Sequence, residues 1–178
     1  MAVLTQSRTA VPAGTWALDP AHSTIGFELP YLAGTFRGHF TDVEAKLTGA
    51  SLTGAARVAS VDVKDENLTA HLQSPEFFDA ERHPELSFES HELGRKGEEL
   101  IVRGDITIRG VTKPVELTGA IAGPIIDGHG RERINVNLST SVDRTEFGLN
   151  WNMPLPNGEP ALANEVKLVA DLYFVREA

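Results

Sequence analysis

The sequence contains no cysteine in its 178 residues. This absence excludes disulfide bonds, thiolate catalysis and metal sites that depend on cysteine ligands. It leaves the redox compartment open, because a chain without cysteine suits an oxidising or a reducing environment.

Clustered positive charge is also missing. The chain has 16 Lys and Arg against 25 Asp and Glu, and its formal net charge is -9. The densest basic spots, Arg131 with Arg133 and Arg95 with Lys96, fall at predicted hairpin tips. Binding to a phosphate backbone needs grouped Lys and Arg, so we expect no nucleic-acid partner. The charge also disfavours docking on anionic lipid surfaces, but it does not bear on an apolar ligand held inside the fold.

Long hydrophobic runs are absent as well. The N-terminal segment MAVLTQSRTAVPAG lacks the apolar run of about 7–15 residues that a secretory signal needs, so we expect a cytoplasmic location. No stretch approaches the roughly 18 apolar residues of a membrane span, so we expect no membrane insertion. Residues 1–13 are small and polar and predict a flexible arm, and residues 14–178 predict a single domain.

The strongest signal that is present is an alternation of apolar and polar residues with period 2. In TIGFELPYL the apolar residues Ile25, Phe27, Leu29 and Tyr31 fall on odd positions, and LIVRGDITIRG and INVNLSTSV show the same pattern. Such alternation is typical of half-buried antiparallel strands. The pattern predicts strands near 15–18, 24–31, 36–40, 43–49, 52–63, 86–93, 99–109, 113–125, 132–144 and 164–176.

The turns and the one helical segment fit an all-β fold. Asp127-Gly128 between two β-like runs is a hairpin signal. A short α-helix is predicted near 65–73, because Leu68 and Leu72 share a face and Pro75 ends the pattern. The predicted strands are long, and closing the sheet removes their exposed edges, so we predict an extended antiparallel β-barrel.

The sequence offers little to a catalytic or metal site. Asp19, His22 and Ser23 lie within five residues, but neighbours on a strand point to opposite faces, and no Gly-x-Ser-x-Gly motif is present. The six histidines form no metal-ligand spacing. We therefore expect no catalytic residues, no metal and no cofactor.

Aromatic residues carry more information. Phe77 and Phe78 are adjacent in a polar connection after the predicted helix, and TEFGLNWNMPLP (145–156) is a second apolar connection. Rings spread along the chain fit an ordinary packed core, and they fit equally the lining of an apolar cavity in a barrel. Two apolar connections in an acidic protein favour a rim or lid around a hydrophobic opening.

Four segments together resemble the YceI-like polyisoprenoid-binding family. They are GTWALDPAHSTIGFEL, HLQSPEFFDAERHPELSFES, GDITIRGVTKPVEL and SVDRTEFGLNW with LANEVKLVADLYF, in the order that the family has them. The resemblance spans about 14–174 and implies a lipocalin-like barrel with a short helix. It further implies a long apolar pocket for a polyisoprenoid or similar long-chain amphiphilic lipid, and a homodimer.

The resemblance is carried over residue by residue. Matching positions of the family motifs are Trp16, Asp19, His22, Ser23, Phe27, His71, Leu72, Ser74, Phe77, Phe78, Pro84, Phe88, Ser90, Ile106 to Gly110, Lys113, Pro114, Arg144, Phe147, Gly148, Glu165 and Val166. The residues that we expect to line the pocket or its rim are Phe27, Leu29, Phe36, Phe40, Leu72, Phe77, Phe78, Phe88, Phe147 and Trp151. His22, Ser23 and Arg144 are candidates for contacts with a polar head group.

Three functions fit these observations. The first is binding of a lipid, extending to its storage or transport, with no catalysis. The second is a stress-response or interaction module, whose barrel would be filled by side chains. The third is an enzyme in which Asp19 with His22, or Arg144, acts on the head of an apolar substrate, which requires His22 and an acidic partner to share the pocket.

Overall fold

Eleven strands and one α-helix make up residues 11–177, the part of the chain that the computed structural model describes. The elements are β1 (Thr15–Leu18), β2 (Thr24–Tyr31), β3 (Gly34–Phe40), β4 (Val43–Thr48), β5 (Leu52–Arg57), β6 (Val61–Asp62), α1 (Glu66–Gln73), β7 (Glu85–Lys96), β8 (Glu99–Ile108), β9 (Val111–Ile126), β10 (Glu132–Asp143) and β11 (Glu165–Arg176). Two short 3₁₀ turns, Val58–Ser60 and Arg144–Phe147, follow β5 and β10.

Eight of the strands close into an antiparallel barrel, which confirms the predicted fold class. The ring runs β1, β4, β5, β7, β8, β9, β10 and β11, and β11 pairs back onto β1 with Trp16 opposite Arg176 and Leu18 opposite Phe174. Closure gives the edges of both strands a partner. A barrel of about this size has an interior wide enough for side chains or for one ligand.

Strand β11 also extends the wall at one end of the barrel. Its residues from Lys167 to Asp171 pair with β2, while its last residues pair with β1. Strand β3 pairs with β2, and the short β6 pairs with β3. The end that carries β2 and β3 therefore has its own wall segment, separate from the end that β1 closes.

The prediction of one strand over 52–63 is wrong. Strand β5 ends at Arg57, the 3₁₀ turn carries the chain away from β4 and β7, and β6 joins β3 instead. Val58 and Val61 remain buried across this change of partner. An apolar pattern indicates that a residue is buried but not which strand it pairs with. It therefore could not predict the change of partner strand between β5 and β6.

Helix α1 forms where the sequence predicts it. Asp65 is the N-cap, and its side chain accepts a hydrogen bond from the Leu68 amide at 2.9 Å. Leu72 faces the interior and is buried. Ser74 ends the helix, and its hydroxyl donates to the His71 carbonyl at 2.6 Å.

The core consists of two clusters at opposite ends of the barrel. One surrounds Trp16 and Phe174, and the other surrounds Phe27, Phe78 and Phe147. Val11, 3% exposed, belongs to the first cluster although it falls within the predicted arm. Most of the predicted arm over residues 1–13 lies outside the described residues, which begin at 11.

Candidate ligand-binding site

A cavity of about 210 Å³ lies at the end of the barrel formed by β2, β3 and α1. Nine of the ten residues predicted to line the pocket contribute to its wall, and so does Arg144. These nine are Phe27, Leu29, Phe36, Phe40, Leu72, Phe77, Phe78, Phe147 and Trp151.

Ten further residues line this cavity that the sequence did not single out as pocket residues. They are Tyr31, Leu68, His71, Leu86, Ile108, Val142, Leu149, Leu162, Val166 and Leu168. Alternation and helix spacing carried the signal for several of them. Tyr31 has the parity of Leu29 on β2, and Leu68 lies one helical turn before Leu72.

The two adjacent phenylalanines point into this end of the barrel. The Phe78 and Phe77 amides donate back to the Leu72 and Ser74 carbonyls, which turns the chain towards the end of the helix. Phe77 and Phe78 are 6% and 9% exposed. The Phe78 ring centroid lies 6.1 Å from that of Phe27, so the connection after the helix packs against β2.

His71 and Trp151 form a second group of rings beside the cavity. Their centroids are 4.8 Å apart with nearly perpendicular planes, and Phe77 contacts both of them. The outer nitrogen of His71, Nε2, is hydrogen-bonded to the Glu76 carboxylate. His71 is thus fixed between the aromatic wall and a partly exposed acidic partner.

Arg144 is a buried charged residue in the cavity wall, with 5% of its surface exposed. Its Nη1 donates to the carbonyls of Leu149 at 2.6 Å and Trp151 at 2.9 Å, and its Nε donates to the Ala163 carbonyl at 2.9 Å. Removal from water lowers the pKa of Arg144 from its usual value, with Asp143 opposing this effect. Arg144 therefore holds the connection between β10 and β11, a segment that we call the rim segment (residues 148–164).

Arg109 links the loops on the other side of the opening. Its Nη1 donates to the Gly148 carbonyl at 3.0 Å, and its Nη2 donates to the Pro75 carbonyl at 2.7 Å. Arg109 has a φ of 51° at the tight turn between β8 and β9. The sequence identified Arg109 as part of a motif but gave no indication of this bridging role.

The other two head-group candidates lie elsewhere. His22 Nδ1 is 2.7 Å from Asp19 Oδ2, and Ser23 Oγ donates to the Asp19 carbonyl at 2.7 Å. Neither His22 nor Ser23 lines the cavity. Ser23 Oγ also accepts from the Tyr173 amide at 2.9 Å, so these residues order the connection between β1 and β2.

Asp19 belongs to a charged network outside the lumen. Arg133 Nη1 lies 2.8 Å from Asp19, and Arg133 Nε lies 2.6 Å from Asp127. The hydrogen bond from Arg133, aided by His22, lowers the pKa of Asp19 to about 2 against the effect of burial. Asp19 and His22 do not share the cavity, so the geometry that the enzyme interpretation requires is not formed.

A second cavity of about 130 Å³ lies next to the first in the barrel. Phe88, the tenth predicted pocket residue, lines this cavity rather than the first. Much of its wall is made of small residues such as Gly54, Ala45 and Ala170. Both cavities share four lining residues, Phe40, Leu86, Ile108 and Leu168.

The two cavities thus form one lumen that apolar side chains divide. Within residues 11–177, no group of three or more His, Asp or Glu is placed to hold a metal ion. In the same part of the chain, no helix is long and apolar enough to cross a membrane.

The YceI-like domain model matches residues 16–174. A UPF0312 protein of Photorhabdus laumondii is 33% identical over 140 residues, covering 74% of this chain and 73% of that protein. A UPF0312 protein of Staphylococcus epidermidis is 29% identical over 168 residues, covering 88% and 94%.

Solved structures share the fold. The crystal structure of Burkholderia cenocepacia BcnA superposes with a TM-score of 0.76 at 21% identity and covers 88% of this chain and 98% of that chain. A polyisoprenoid binding domain from Saccharophagus degradans, implicated in plant cell wall breakdown, superposes with a TM-score of 0.69 at 10% identity and covers 91% and 98%. At these identities the likeness shows a common fold.

Proposed function

This chain belongs to the YceI-like family, and from that premise we propose that it binds a polyisoprenoid or similar long-chain amphiphilic lipid inside its barrel. The observation that carries the proposal is the divided lumen, with cavities of about 210 and 130 Å³. Its walls are mainly apolar, and the charged Arg144 lies in the first cavity. The structural neighbour named as a polyisoprenoid binding domain supports the same ligand class.

The chemistry of the lumen suits a hydrocarbon tail. Burying apolar surface contributes about 25 cal/mol per Å², less the entropy lost when the chain is ordered. Aromatic rings such as Phe27 and Phe147 supply a large contact area without requiring a fixed hydrogen-bond pattern. A flexible tail without polar atoms fits such a wall better than a compact polar metabolite does.

The lumen also separates this function from the alternatives. A stress-response or interaction module with a filled barrel needs no internal space, whereas this barrel contains two cavities. Of the residues named for the enzyme interpretation, Asp19 and His22 lie outside the lumen, and Arg144, which lines the first cavity, has no acidic or histidine partner from that set beside it. We further propose that the protein stores or carries its lipid, because the loops around the first cavity shield that ligand from water. The cytoplasmic location and the homodimer stay predictions.

Native mass spectrometry of freshly purified protein tests this function. We expect an adduct of about one lipid per chain that dissociates on denaturation and is identified after organic extraction. Delipidated protein should take up a prenyl alcohol such as farnesol. The absence of an adduct, together with no uptake of any prenyl or acyl lipid, neutral or anionic, would contradict the proposal and favour the interaction module.

A further inference from the structure

The guanidinium of Arg144 has unused hydrogen-bonding capacity. An arginine carries five N–H donors. The Nε donor and both Nη1 donors of Arg144 bond to carbonyl oxygens, and Nη2 is buried without a hydrogen-bond partner. Buried donors left unpaired cost about 1–3 kcal/mol, so such a group in a cavity wall calls for an acceptor.

The positive charge of Arg144 also lacks a carboxylate partner among residues 11–177, since no ion pair within 4.0 Å involves it there. The neighbouring Asp143 carboxylate instead accepts from the amide and hydroxyl of Thr145, at 2.9 and 2.6 Å. A guanidinium stays protonated in proteins even when its surroundings oppose the charge. A buried cation without a counter-charge is unfavourable, and an anion brought by the ligand would supply that counter-charge.

We propose that the bound lipid carries an anionic oxygen head group, a carboxylate or a phosphate, which enters the first cavity beside the Arg144 guanidinium and supplies its missing counter-charge. This inference rests on the proposed lipid-binding function and narrows its ligand class. Uncharged prenyl alcohols and hydrocarbons are then weak ligands that fill the tail site only. Charge-assisted bonds from arginine to such oxygens are about twice as strong as neutral ones.

The polar groups of the first cavity also give the ligand a direction. The Tyr31 backbone pairs with Leu162 of the rim segment, the His71 ring packs on Trp151, and Arg144 donates to the Trp151 carbonyl. The polar side chains therefore gather against the rim segment. The second cavity lies beyond Phe40 and no charged residue lines it, so the head group lies at the rim segment and the tail points towards the second cavity.

Matched lipid pairs test the inference on the unaltered protein. Farnesyl monophosphate is compared with farnesol, and hexadecanoic acid with 1-hexadecanol, by titration into delipidated protein at pH 7.5. We expect each anion to bind at least ten-fold more tightly than the alcohol with the same tail. If the acid and the phosphate both bind more tightly than their matched alcohols, the site accepts either source of anionic oxygen. If only one of them binds more tightly than its alcohol, that one is the head group of the ligand.

Variants locate the effect. In Arg144→Met the preference for the anion should fall to about two-fold or less, whereas Arg37→Met, which removes an exposed arginine on β3, should keep it. Equal binding of anion and alcohol by the unaltered protein would overturn this inference and leave lipid binding intact. Failure of all four lipids to bind would overturn the proposed function itself. These two outcomes need no variant, so a misfolded Arg144→Met leaves the test decisive.

Discussion

Arg109 Nη2 lies 2.7 Å from the carbonyl oxygen of Pro75, so the turn between β8 and β9 holds the loop that carries Phe77 and Phe78. The same guanidinium donates to the Gly148 carbonyl at the start of the rim segment. One side chain therefore ties together both connections that surround the first cavity. These contacts link loops rather than strands, and we expect them to control access to the lumen more than the stability of the barrel.

Arg109→Met should speed ligand release. Loss of both carbonyl contacts frees the Phe77 loop and the rim segment, so we expect the dissociation rate of a bound lipid to rise at least five-fold. Hydrogen bonds from a charged donor contribute about 1.5–3 kcal/mol when buried, and less here because the donor is partly exposed. Stopped-flow displacement of a fluorescent lipid measures the rate.

Arg57→Met is the matched control for Arg109→Met. Arg57 is exposed, pairs with Glu85 on the outside of β5 and β7, and does not line the first cavity. We expect its release rate to equal that of the unaltered protein. If Arg109→Met released lipid no faster than Arg57→Met, the loops would not gate the cavity through Arg109.

Phe78→Ala should destabilise the fold and weaken lipid binding. The Phe78 ring packs against Phe27 and Phe40 and is 9% exposed. Removing a buried phenylalanine costs about 3–5 kcal/mol, and the low end applies here because the ring adjoins an existing cavity. Urea unfolding with and without lipid measures both effects. The control is Tyr173→Ala, on an outer face of β11, which should change the free energy of unfolding by less than about 1 kcal/mol. An equal loss of unfolding free energy in the two variants would contradict the placement of Phe78.

The sequence was sufficient to predict the barrel and most of the aromatic wall. Alternation identified β2 and β10, because each strand has one face in the lumen and one in water. The helix followed from the spacing of Leu68 and Leu72 and from Pro75 after them. Four of the nine predicted residues in the first cavity, Phe27, Leu29, Phe36 and Phe40, lie on β2 and β3 with inward parity. The other five lie on the helix or in connections, where the apolar connections and the family resemblance indicated them.

The features that the sequence did not predict depend on which strands and loops contact one another. The change of partner between β5 and β6 leaves the apolar pattern intact, so alternation alone could not show it. The family motif grouped His22 and Ser23 with pocket residues, but their hydrogen bonds to Asp19 keep them in a connection outside the lumen. Contacts between distant loops, such as that of Arg109 with Pro75, leave no periodic signal.

The charged network around Arg133 should make stability depend on pH in the acid range. The folded-state pKa of Asp19, held at about 2 chiefly by Arg133, is lower than the usual value of 3.8. A lowered pKa stabilises the fold when pH is above the unfolded value, and the contribution is lost as pH falls from about 4 towards 2. The pKa of Asp127 is lowered in the same direction by the hydrogen bond from Arg133.

Asp19→Asn tests this network. At pH 7 we expect the variant to lose about 1–2 kcal/mol of unfolding free energy, a figure reduced for solvent screening. The difference from the unaltered protein should shrink as pH falls from 5 to 2. Urea unfolding at several pH values measures it, with Asp105→Asn, which removes an exposed carboxylate beside His91, as the control. A difference that stays constant down to pH 2 would exclude ionisation of Asp19 as the cause.

Ala170→Leu should shorten the tail that the lumen accepts. Ala170 lines the second cavity from β11, opposite Ile25 and Leu138 in its strand pairs. Three added carbons there occupy part of a volume of about 130 Å³ and leave the first cavity unchanged. A short prenyl chain confined to the first cavity should bind normally, while a chain that reaches beyond Phe40 should lose at least ten-fold in affinity.

The matched control for this tail-length experiment is Ala120→Leu on the exposed face of β9, which adds the same carbons outside the lumen. Dissociation constants for farnesyl and geranylgeranyl derivatives with the same head group are measured for both variants. We expect Ala120→Leu to bind both chains as the unaltered protein does. An equal loss for both chains in Ala170→Leu would indicate general damage to the barrel. If neither chain lost affinity, the tail would not enter the second cavity. The side chains that both cavities share would then close the first cavity off from the second; they are Phe40, Leu86, Ile108 and Leu168.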